Sequence, residues 1–432
     1  MSKTIGFYTL GCKVNQYESE ACAEEAERRG FTVLSPTERC DVYVINTCTV
    51  TGESDRKSRQ FIRRAIAQNP DAKIIVMGCM AQVSPDDART IDGVDAVIGT
   101  KDKLSCVKIA EELLASDVGE VFEKVEPLDL CPFESMSITR FPRTRAYIKI
   151  EDGCESKCAY CIIPTARGKI RSKSPKEVLS EIELLKEKGC REVVLTGIET
   201  SAYGVDLGNY RLADLLCDVD KIADGSMRVR LGSLDPSLIR PAFVEKISKL
   251  PSLAPHFHLS LQSGSSSVLA LMKRRYNADM AMNAVRLLRE AFPGVQLTSD
   301  FIVGFPGETE EYFGETCEFI KEARLLNSHI FPYSKRKGTP AAVMPGQLPQ
   351  TVKFERVKAL SDVQAAVTEK ILKNEIGKTY DVLFETSKNG KFYGHTASFI
   401  EVSVKSDENL HAETKKVKII GYTGGVADGI IL

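Results

Sequence analysis

Short apolar segments alternate with polar helical segments along most of the chain, and this alternation sets its fold class. Near the N-terminus the apolar segments are IGFYTL, FTVL, DVYVIN, KIIVMG and DAVIG. A second series begins at Ala146 and comprises AYIKI, EVVLTG, RVRLGS, HFHLSLQ, LTSDFIVG and SHIFPY. Strands that alternate with helices form parallel sheets joined by crossover helices. We therefore predict an α/β protein with an N-terminal parallel sheet, followed by six βα units that form a partial barrel, since a closed one needs eight.

The pattern changes at two places, which indicate domain boundaries. Around residues 117–142 the periodicity fades and prolines enter, as in a linker. A long amphipathic helix is predicted from Lys353 to Asn374, and short strands with turn signals follow it: TYDVLFET, KNGKFYGHT, FIEVSV and KVKIIGYTG. These strands predict a small all-β barrel. The expected domains are 1–117, 143–368 and 369–432, with a linker at 118–142.

One helix can be predicted in detail because its capping signals are complete. Ser174 is a good N-cap, Pro175 suits the first helical position, and Glu177 completes a capping box. Apolar residues recur on one face, and Gly189 stands at the C-terminal capping position. These signals place a helix directly after the segment GCESKCAYCIIP.

Charge and length exclude several classes of protein. Lys plus Arg (58) nearly equals Asp plus Glu (59) over 432 residues, so any contact with nucleic acid must use local patches. The start, MSKTIGFYTLGCKVNQ, lacks a signal-peptide pattern, and no apolar run approaches the ~20 residues needed to span a bilayer. We expect a soluble cytoplasmic protein. Its 13 cysteines are an odd number, and a reducing compartment favours metal or redox chemistry over disulfides.

Three cysteines stand close together after the first strand of the second series. Cys154, Cys158 and Cys161, here called the barrel set, are separated by three and then two residues. Core packing explains one such cysteine well and three poorly. Zinc would need a distant fourth ligand, and the first histidine after the set is His256. The third interpretation is an iron–sulfur cluster bound through three irons, which leaves one iron open to a non-protein ligand.

The spacing C-x3-C-x-aromatic-C, with Tyr160 as the aromatic residue, resembles the radical S-adenosylmethionine superfamily. The set lies at the C-terminal face of the predicted barrel, where the active sites of βα barrels gather. The resemblance implies a [4Fe-4S] cluster whose open iron chelates the methionine part of S-adenosyl-L-methionine. It also implies that an electron from the cluster cleaves the sulfonium to give a 5′-deoxyadenosyl radical.

The same resemblance suggests cofactor-binding residues at other strand ends. It implies contacts from a small and acidic segment in LTGIET, from LGSLDP and LSLQSGS, and from backbone groups in SDFIVGFPGET. Ordinary turn and capping roles remain the alternative for each position. In addition to Tyr160, the candidate cofactor-binding residues are Gly197, Glu199, Ser233, Gln262 and Gly304.

A second set of cysteines follows three predicted strands of the N-terminal sheet. Cys12, Cys48 and Cys79, here called the N-terminal set, follow IGFYTLG, VYVINT and IIVMG. The carboxyl ends of parallel strands meet at one edge, where open α/β sheets bind ligands. We therefore expect the three thiols to lie together, although three unrelated buried thiols remain the alternative. The remaining cysteines lie in helical or linker sequence, and we interpret them as packing residues.

The segment YTLGCKVNQYESE, both cysteine sets and the terminal β module together resemble the methylthiotransferases. The resemblance covers essentially the whole chain: an N-terminal methylthiotransferase domain, a radical core and a TRAM domain. TLGCKVNQYES and LTGIETSAYG look most like the branch that acts on N6-threonylcarbamoyladenosine in tRNA. The isopentenyladenosine and ribosomal-protein branches carry different residues around the first cysteine.

This resemblance implies a chemistry, its cofactors and its partners. The N-terminal set would hold a second [4Fe-4S] cluster, whose open iron carries the sulfur that one S-adenosylmethionine methylates. A second S-adenosylmethionine, cleaved at the barrel set, would supply the radical that removes hydrogen from C2 of the adenine. The protein would orient the reactants and exclude water. The implied partners are tRNA at its anticodon stem-loop, an electron donor and a sulfur source, with a monomer as the expected state.

Local basic patches give candidate tRNA contacts. The resemblance implies that the TRAM domain contacts tRNA, yet its charges are balanced, so the arginines near the barrel set are the better candidates. Pairing with acidic residues inside the protein is the alternative. These candidates are Arg143, Arg145, Arg167 and Arg171.

Other functions remain open at this point. Within the same class, the substrate could be isopentenyladenosine in tRNA or a side chain of a ribosomal protein. Outside the class, the chain could be an iron–sulfur protein that binds RNA or carries electrons without radical chemistry.

Overall fold

The computed structural model describes residues 3–115, 120–129, 131–141 and 144–432. Its strands are β1 Thr4–Thr9, β2 Thr32–Leu34, β3 Val42–Thr47, β4 Lys73–Gly78, β5 Ala96–Ile98, β6 Phe122–Lys124, β7 Ala146–Lys149, β8 Glu151–Asp152, β9 Arg171–Ser172, β10 Glu192–Thr196, β11 Arg228–Leu231, β12 Ser233–Leu234, β13 His256–Gln262, β14 Gln296–Val303, β15 Asn327–Pro332, β16 Thr379–Lys388, β17 Lys391–His395, β18 Glu401–Lys405, β19 Thr414–Thr423 and β20 Val426–Ile431. Its α-helices are α1 Lys13–Arg28, α2 Gly52–Gln68, α3 Cys79–Val83, α4 Pro85–Arg89, α5 Ser105–Ala115, α6 Ile163–Arg167, α7 Pro175–Glu187, α8 Leu212–Ala223, α9 Pro241–Ile247, α10 Ser266–Leu271, α11 Ala278–Ala291, α12 Glu310–Ala323 and α13 Gln350–Lys373.

The N-terminal strands form one parallel sheet in the order β2-β1-β3-β4-β5-β6. The five strands predicted from the sequence are confirmed. Every residue of the central strand β3 is buried, as expected for a parallel strand with helices on both faces. Strands β1, β3 and β4 are neighbours, so the loops that follow them start side by side.

Strand β6 lies inside the segment that was expected to be a linker. It pairs with β5 through Ala96–Phe122, Val97–Glu123 and Ile98–Lys124. A three-residue strand at the sheet edge, with Phe122 exposed, offers no periodicity that a sequence could reveal. The sequence analysis therefore missed this strand.

The second series forms parallel sheets of three and four strands, β11-β10-β7 and β12-β13-β14-β15. The predicted strand RVRLGS is interrupted at Gly232: its first four residues form β11, and its last residue, Ser233, begins β12. The Gly232 amide donates to the Leu195 carbonyl of β10 at 2.7 Å. The predicted partial barrel of six βα units is thus confirmed, with β7 and β15 as its outer strands.

Helix α7 begins and ends as predicted. Ser174 is its N-cap and accepts a hydrogen bond from the Glu177 amide at 3.3 Å. The Ser174 hydroxyl also donates to the Glu177 carboxylate at 2.5 Å. Gly189 has φ +83°, in the left-handed region that favours glycine after a helix.

Helix α1 joins the N-terminal sheet to the barrel. Tyr17 on this helix is completely buried, and its hydroxyl donates to the Met136 carbonyl at 2.6 Å. Tyr17 and Ala21 belong to the same hydrophobic core as Ile148 and Ile150 of the barrel. This packing fixes the start of α1, and with it Cys12, relative to the barrel.

The C-terminal strands close into a barrel in the order β16-β17-β18-β20-β19, which confirms the predicted all-β module. Its β17–β18 loop reaches the amino ends of the strands of the partial barrel. There the Phe399 ring stacks on His256, the first residue of β13, with centroids 4.3 Å apart. The Arg230 guanidinium lies 4.8 Å from the same ring. Phe399 thus covers the end of the partial barrel that is opposite the cysteines.

In the described part of the chain, none of the helices has both the length and the apolar character needed to cross a membrane.

Candidate functional site

The fold brings the N-terminal set together at one sheet edge, as its positions after three strands predicted. Cys12 follows β1 and is the N-cap of α1, Cys48 follows β3, and Cys79 begins α3 directly after β4. Gly11, with φ +96°, leaves no room for a side chain, since a Cβ there would lie 2.9 Å from the Cys48 sulfur. Any thiolate charge on Cys79 acts on both other thiols.

The barrel set lies on the loop between β8 and α6, at the carboxyl ends of the barrel strands. Gly153 starts this loop with φ +93°, and a Cβ there would collide with the Lys169 carbonyl. The Cys154 amide donates to the Gly168 carbonyl at 3.0 Å. The Cys161 amide donates to the Cys158 carbonyl at 3.2 Å, which closes the loop into a tight turn. The loop backbone is therefore held before any ligand binds.

The thiols of both sets fit a site in which bound metal stabilises thiolate ligands. Among the residues that the structure describes, no group of three histidine, cysteine or acidic side chains is close enough to hold a single metal ion. Burial raises the pKa of the Cys48 thiol to about 11 and that of Cys161 to about 12, so their thiolates need a nearby positive charge. Bound iron supplies such a charge.

Each set also receives a hydrogen bond from an arginine. Arg167 Nε donates to the Cys79 sulfur at 3.3 Å, and Arg274 Nη1 donates to the Cys158 sulfur at 3.2 Å. Donors aimed at cluster sulfurs are one means by which proteins set the reduction potential of iron–sulfur clusters. The sequence analysis assigned Arg167 a different role and did not single out Arg274.

Arg167 is completely buried between the two sets. Its Nη1 atom pairs with Glu18 at 2.6 Å and with Asp152 at 3.2 Å, and its Nη2 atom donates to Asn15 Oδ1 at 2.5 Å. Asp152 stands two residues before Cys154. One guanidinium therefore contacts α1, the N-terminal set and the approach to the barrel set.

Glu18 is the acidic centre of this arrangement, and the sequence analysis gave it no role. It is completely buried and pairs with Lys103, with Lys149 at 2.8 Å and with Arg167. Burial alone would raise the pKa of Glu18, but these three cations hold it well below its usual range. The sequence signal was present in the segment CKVNQYESE, where Glu18 lies on the same face of α1 as Val14.

The arginines predicted to bind tRNA are engaged inside the protein where the structure describes them. Arg145 pairs with Glu385 and lies 3.4 Å from Glu192. Arg171 is mostly buried and donates to the Arg167 carbonyl at 2.9 Å. With Arg167 buried as well, the alternative of internal pairing matches the observed contacts. Arg143 lies outside the described residues.

Glu199 lies near the barrel set, at the end of β10. Its amide donates to the Glu151 carboxylate at 2.7 Å, which holds the turn after the strand. Gly197, two residues earlier, packs against the same carboxylate: a Cβ at this position would lie 2.6 Å from it. Burial and the neighbouring Asp235 raise the pKa of Glu199 to about 7. This carboxyl therefore changes charge near neutral pH.

Asp235 and Arg274 complete this side of the site, and the sequence analysis missed both. Arg274 Nη2 donates to Asp235 Oδ2 at 2.8 Å while Nη1 contacts Cys158. Ser233, the residue singled out from LGSLDP, is instead exposed. Asp235 in the same segment, LGSLDP, is the residue from which the sequence could have predicted this contact.

A cavity of about 200 Å³ joins the two halves of the site. Tyr160 and Cys161 line it from the loop of the barrel set, Gln262 and Asp300 from strands β13 and β14, and Val50 from the loop after Cys48. Two predicted cofactor contacts, Tyr160 and Gln262, therefore meet in one space. Gln262 adopts φ +64°, an uncommon conformation for a residue other than glycine.

Gly304 is placed differently from these cavity residues. Its amide donates to the Glu308 carboxylate at 2.6 Å. With φ +71° it packs against helix α13, where a Cβ would lie 2.4 Å from Lys353 Cγ. Close packing of this turn on α13 thus requires glycine. The Gly304 amide already donates its hydrogen to Glu308.

Cys12 and Lys13 are accessible to solvent although protein atoms surround them on most sides. Burial, together with Arg145 and Arg230, lowers the pKa of Lys13, while Asp300 opposes this shift. The charges that act on Lys13 thus come from residues of the partial barrel as well as from the neighbouring Cys12.

Comparison with known proteins shows similarity along the whole chain. Residues 148–320 match the radical SAM superfamily, and residues 4–99 match a family described as uncharacterized protein family UPF0004. The threonylcarbamoyladenosine tRNA methylthiotransferase MtaB of Bacillus subtilis (strain 168) is 42% identical over 97% of this chain and 94% of its own. MtaB of Rickettsia prowazekii is 37% identical, over 96% and 95%. A tRNA-2-methylthio-N(6)-dimethylallyladenosine synthase of Carboxydothermus hydrogenoformans is 35% identical over 96% of each chain.

Solved structures show the fold alone, because the identities are low. The radical S-adenosylmethionine methyltransferase TsrM of Kitasatospora setae, with cobalamin and a [4Fe-4S] cluster bound, has a TM-score of 0.57 at 16% identity. That match covers 79% of this chain and 74% of TsrM. The cobalamin-dependent radical enzyme OxsB has a TM-score of 0.51 at 12% identity, over 84% of this chain and 56% of its own.

Proposed function

The chain belongs to the radical S-adenosylmethionine methylthiotransferases, and we propose that it converts N6-threonylcarbamoyladenosine in tRNA to its 2-methylthio derivative. It is a transferase that uses two [4Fe-4S] clusters and S-adenosyl-L-methionine. One observation carries the proposal: the buried guanidinium of Arg167 contacts Cys79 of the N-terminal set and also pairs with Asp152, two residues before the first cysteine of the barrel set. A chain with one working cluster would need only one such set.

The residues of each set would hold one cluster and leave one iron without a protein ligand. When bound, the clusters and S-adenosylmethionine supply a radical that can remove the C2 hydrogen of adenine, together with the sulfur and the methyl group. The protein holds these reactants at fixed positions, because tight turns at Gly11 and Gly153 set the cysteine backbones. Arg167 and Arg274 place positive charge beside the two thiolate sets.

For S-adenosylmethionine we propose a site beside the barrel set. The Glu199 carboxylate would accept the methionine ammonium, with Gly197 giving the space for close approach. Tyr160 and Gln262 would contact the cofactor from the cavity they share. Ser233 stays a prediction for a ribose or carboxylate contact. Gly304 stays a prediction for a backbone contact.

The tRNA is the substrate, and its anticodon stem-loop is the proposed point of contact. Arg143 stays a prediction for this contact. The other three candidates, Arg145, Arg167 and Arg171, have internal partners that support a positioning role. We propose that the chain acts as a monomer in the cytoplasm. An external electron donor and a sulfur source would complete each turnover.

Analysis of tRNA nucleosides by mass spectrometry tests the proposed function. A strain that lacks the gene should lose 2-methylthio-N6-threonylcarbamoyladenosine and accumulate the unmethylthiolated nucleoside. The wild-type gene should restore the product, whereas Cys79→Ala should not. Cys317→Ala, on helix α12 away from both sets, serves as the matched control. Loss of the methylthio group from isopentenyladenosine instead would move the chain to that branch, and unchanged tRNA would contradict tRNA as the substrate.

A further inference from the structure

Helix α2 begins at the cavity of the site and carries basic residues along most of its length. Its N-cap, Thr51, lines the cavity, and the Gly52 amide donates to the Ser334 hydroxyl at 3.0 Å. After Asp55 the helix contains five basic residues and no acidic one. They are Arg56, Lys57, Arg59, Arg63 and Arg64. A helix of 17 residues is about 25 Å long, so this basic row extends well away from the cavity.

The acidic residues of α2 neutralise only the start of this row. Glu53 pairs with Arg56 at 2.6 Å and lies 4.0 Å from Lys57. Asp55 pairs with Arg336 at 2.6 Å. In the part of the chain that the structure describes, three residues of the row form no ion pair, and they are here called the α2 arginines: Arg59, Arg63 and Arg64. The first of the three is half-buried, and the other two are exposed.

Helix stability does not account for the α2 arginines. Arg59 and Arg63 are four residues apart, and like charges at this spacing destabilise a helix. Cations are favoured in the last turn of a helix, yet the last turn of α2 contains no basic residue. The row is therefore unfavourable for the helix alone and suits an anionic partner.

Neighbouring segments leave this surface with a net positive charge. Asp87 and Asp92 line a depression beside α2 together with two of the α2 arginines, while Asp86 pairs with Arg89 at 2.5 Å. The loop at 334–337, SKRK, adds three basic residues beside the start of the helix. Over α2, this loop and the two aspartates of the depression, eight basic residues stand against four acidic ones. The excess is continuous with the rim of the cavity.

We infer that the α2 arginines, together with the loop at 334–337, bind phosphates of the anticodon stem while the target adenine occupies the site. The inference rests on the proposed function, which makes tRNA the substrate, and it specifies the surface that holds the stem. Guanidinium groups suit phosphate because they can donate two parallel hydrogen bonds to its oxygens. A row that leads away from the cavity can follow consecutive phosphates of one strand. Such contacts fix the position of the RNA without reading its sequence.

An acidic electron-transfer protein is the other partner that this charge could attract. Such a protein must approach the clusters closely. Arg63, however, lies about 17 Å along α2 from the start of the helix. An elongated polyanion can contact this residue and the cavity together, so the geometry favours RNA.

The test uses reconstituted holoenzyme and a synthetic anticodon stem-loop that carries N6-threonylcarbamoyladenosine. Binding is measured by fluorescence anisotropy at several salt concentrations, without S-adenosylmethionine. A variant with Arg59→Gln, Arg63→Gln and Arg64→Gln should bind about ten- to a hundredfold more weakly at about 0.1 M salt. The slope of log affinity against log salt should fall by about 2 to 3, because each lost phosphate contact removes about 0.7–0.9. The unmodified stem-loop should lose the same factor, since phosphates carry no base identity.

Two further variants control for net charge and for folding. Lys221→Gln, Arg286→Gln and Lys321→Gln together remove the same charge from exposed positions on α8, α11 and α12, and this variant should bind as wild type does. Lysine in place of all three α2 arginines should retain most of the salt slope, because the charge is kept. An iron content of about eight atoms per chain in every variant would show that the site is assembled.

Unchanged affinity and slope in the glutamine variant of the α2 arginines would overturn the inference, as would an equal loss in the charge control. Unchanged RNA binding, with slower reduction of the clusters by an acidic electron-transfer protein, would assign the surface to the electron donor instead. Methylthiolation of the stem-loop by the wild-type holoenzyme checks the proposed function separately. Product formation with unchanged binding in the variant would refute the surface alone. Absence of product, with the salt-dependent loss observed, would refute the proposed function and leave the surface as an RNA-binding one.

Discussion

Arg167 Nε lies 3.3 Å from the Cys79 sulfur, while Nη1 of the same guanidinium lies 3.2 Å from Asp152. The Asp152 carboxyl has its pKa lowered to about 2, because Lys149 and Arg167 outweigh the effect of burial. One cation therefore ties the N-terminal set to the polypeptide that leads into the barrel set. This contact couples the two halves of the site mechanically as well as electrostatically.

We expect Arg167→Gln to destabilise the interface between the N-terminal sheet and the barrel. Removing the guanidinium leaves Glu18 and Asp152 short of a buried partner, which costs about 3–5 kcal/mol. Hydrogen exchange of the α1 amides in the holoenzyme should become much faster. Arg286→Gln, which breaks an exposed pair with Glu322 at 2.8 Å between α11 and α12 of the partial barrel, is the control. Unchanged protection of α1 would contradict the structural role of Arg167.

Each set of cysteines should account for half of the bound iron. Two four-iron clusters require about eight iron atoms per chain. A variant with alanine at Cys12, Cys48 and Cys79 should retain about four and still cleave S-adenosylmethionine, but should form no methylthio product. Iron assay and detection of 5′-deoxyadenosine measure these outcomes. Full iron content in the triple variant would exclude the N-terminal set as ligands.

Affinity for S-adenosylmethionine should rise with pH between about 6 and 8 if Glu199 holds the methionine ammonium. Burial and Asp235 raise the pKa of Glu199 to about 7, so the carboxylate that the ammonium needs forms only above that value. The same shift favours the protonated folded state: its contribution to stability is complete below the ordinary carboxyl pKa and is lost as pH rises through 7. Equilibrium dialysis at several pH values measures the affinity.

Glu199→Gln should weaken this binding and remove its pH dependence, whereas Glu183→Gln, exposed on α7, should change neither. A pH dependence that persists in Glu199→Gln would assign it to another group.

Helix α7 should depend measurably on its N-cap. Ser174→Ala removes the acceptor for the Glu177 amide, and loss of such a cap costs about 1 kcal/mol. Amides in the first turn of α7 should then exchange about fivefold faster, as that free energy implies. Ser180→Ala, at an exposed position of the same helix, should leave exchange unchanged. Equal exchange in both variants would show that the cap contributes nothing.

Phe399→Ala should loosen the contact between the terminal barrel and the partial barrel. The stacked His256 and the Arg230 cation together stabilise the ring by about 2 kcal/mol. Faster hydrogen exchange at residues 396–400 is the expected result. Phe354→Ala, at an exposed position on α13, is the comparison. Identical exchange of this loop in the two variants would argue against the contact.

The sequence was sufficient for the features that repeat or that stand at fixed offsets. The βα alternation predicted the parallel strands of the N-terminal sheet and of the partial barrel, since burial on both faces requires apolar strands. Placement of Cys12, Cys48 and Cys79 after three such strands predicted their meeting, because parallel strands end at one edge. The caps of α7 were predicted from Ser174 and Gly189 for a similarly local reason.

Contacts between distant segments could not be predicted in this way. Glu18 and Arg167 are far apart in sequence, and each looks like an ordinary surface charge until the fold buries both. Asp235 and Arg274 meet only because strand β12 and the segment after α10 converge on Cys158. Edge strand β6 was missed because Phe122 is exposed and leaves no apolar pattern. Such features depend on tertiary packing rather than on local propensity.

Phe399 makes the terminal barrel the cover of the partial barrel at the end opposite the cysteines. The terminal module is the one expected to contact RNA. It also closes this end of the partial barrel through Phe399, which adopts φ +73°. A chain that lost this module would therefore have a partial barrel that is open at this end. Because the β17–β18 loop must fit the partial barrel, a terminal module taken from a relative would work only if its loop matched the new barrel. Changes in the loop and in this end of the barrel should therefore occur together.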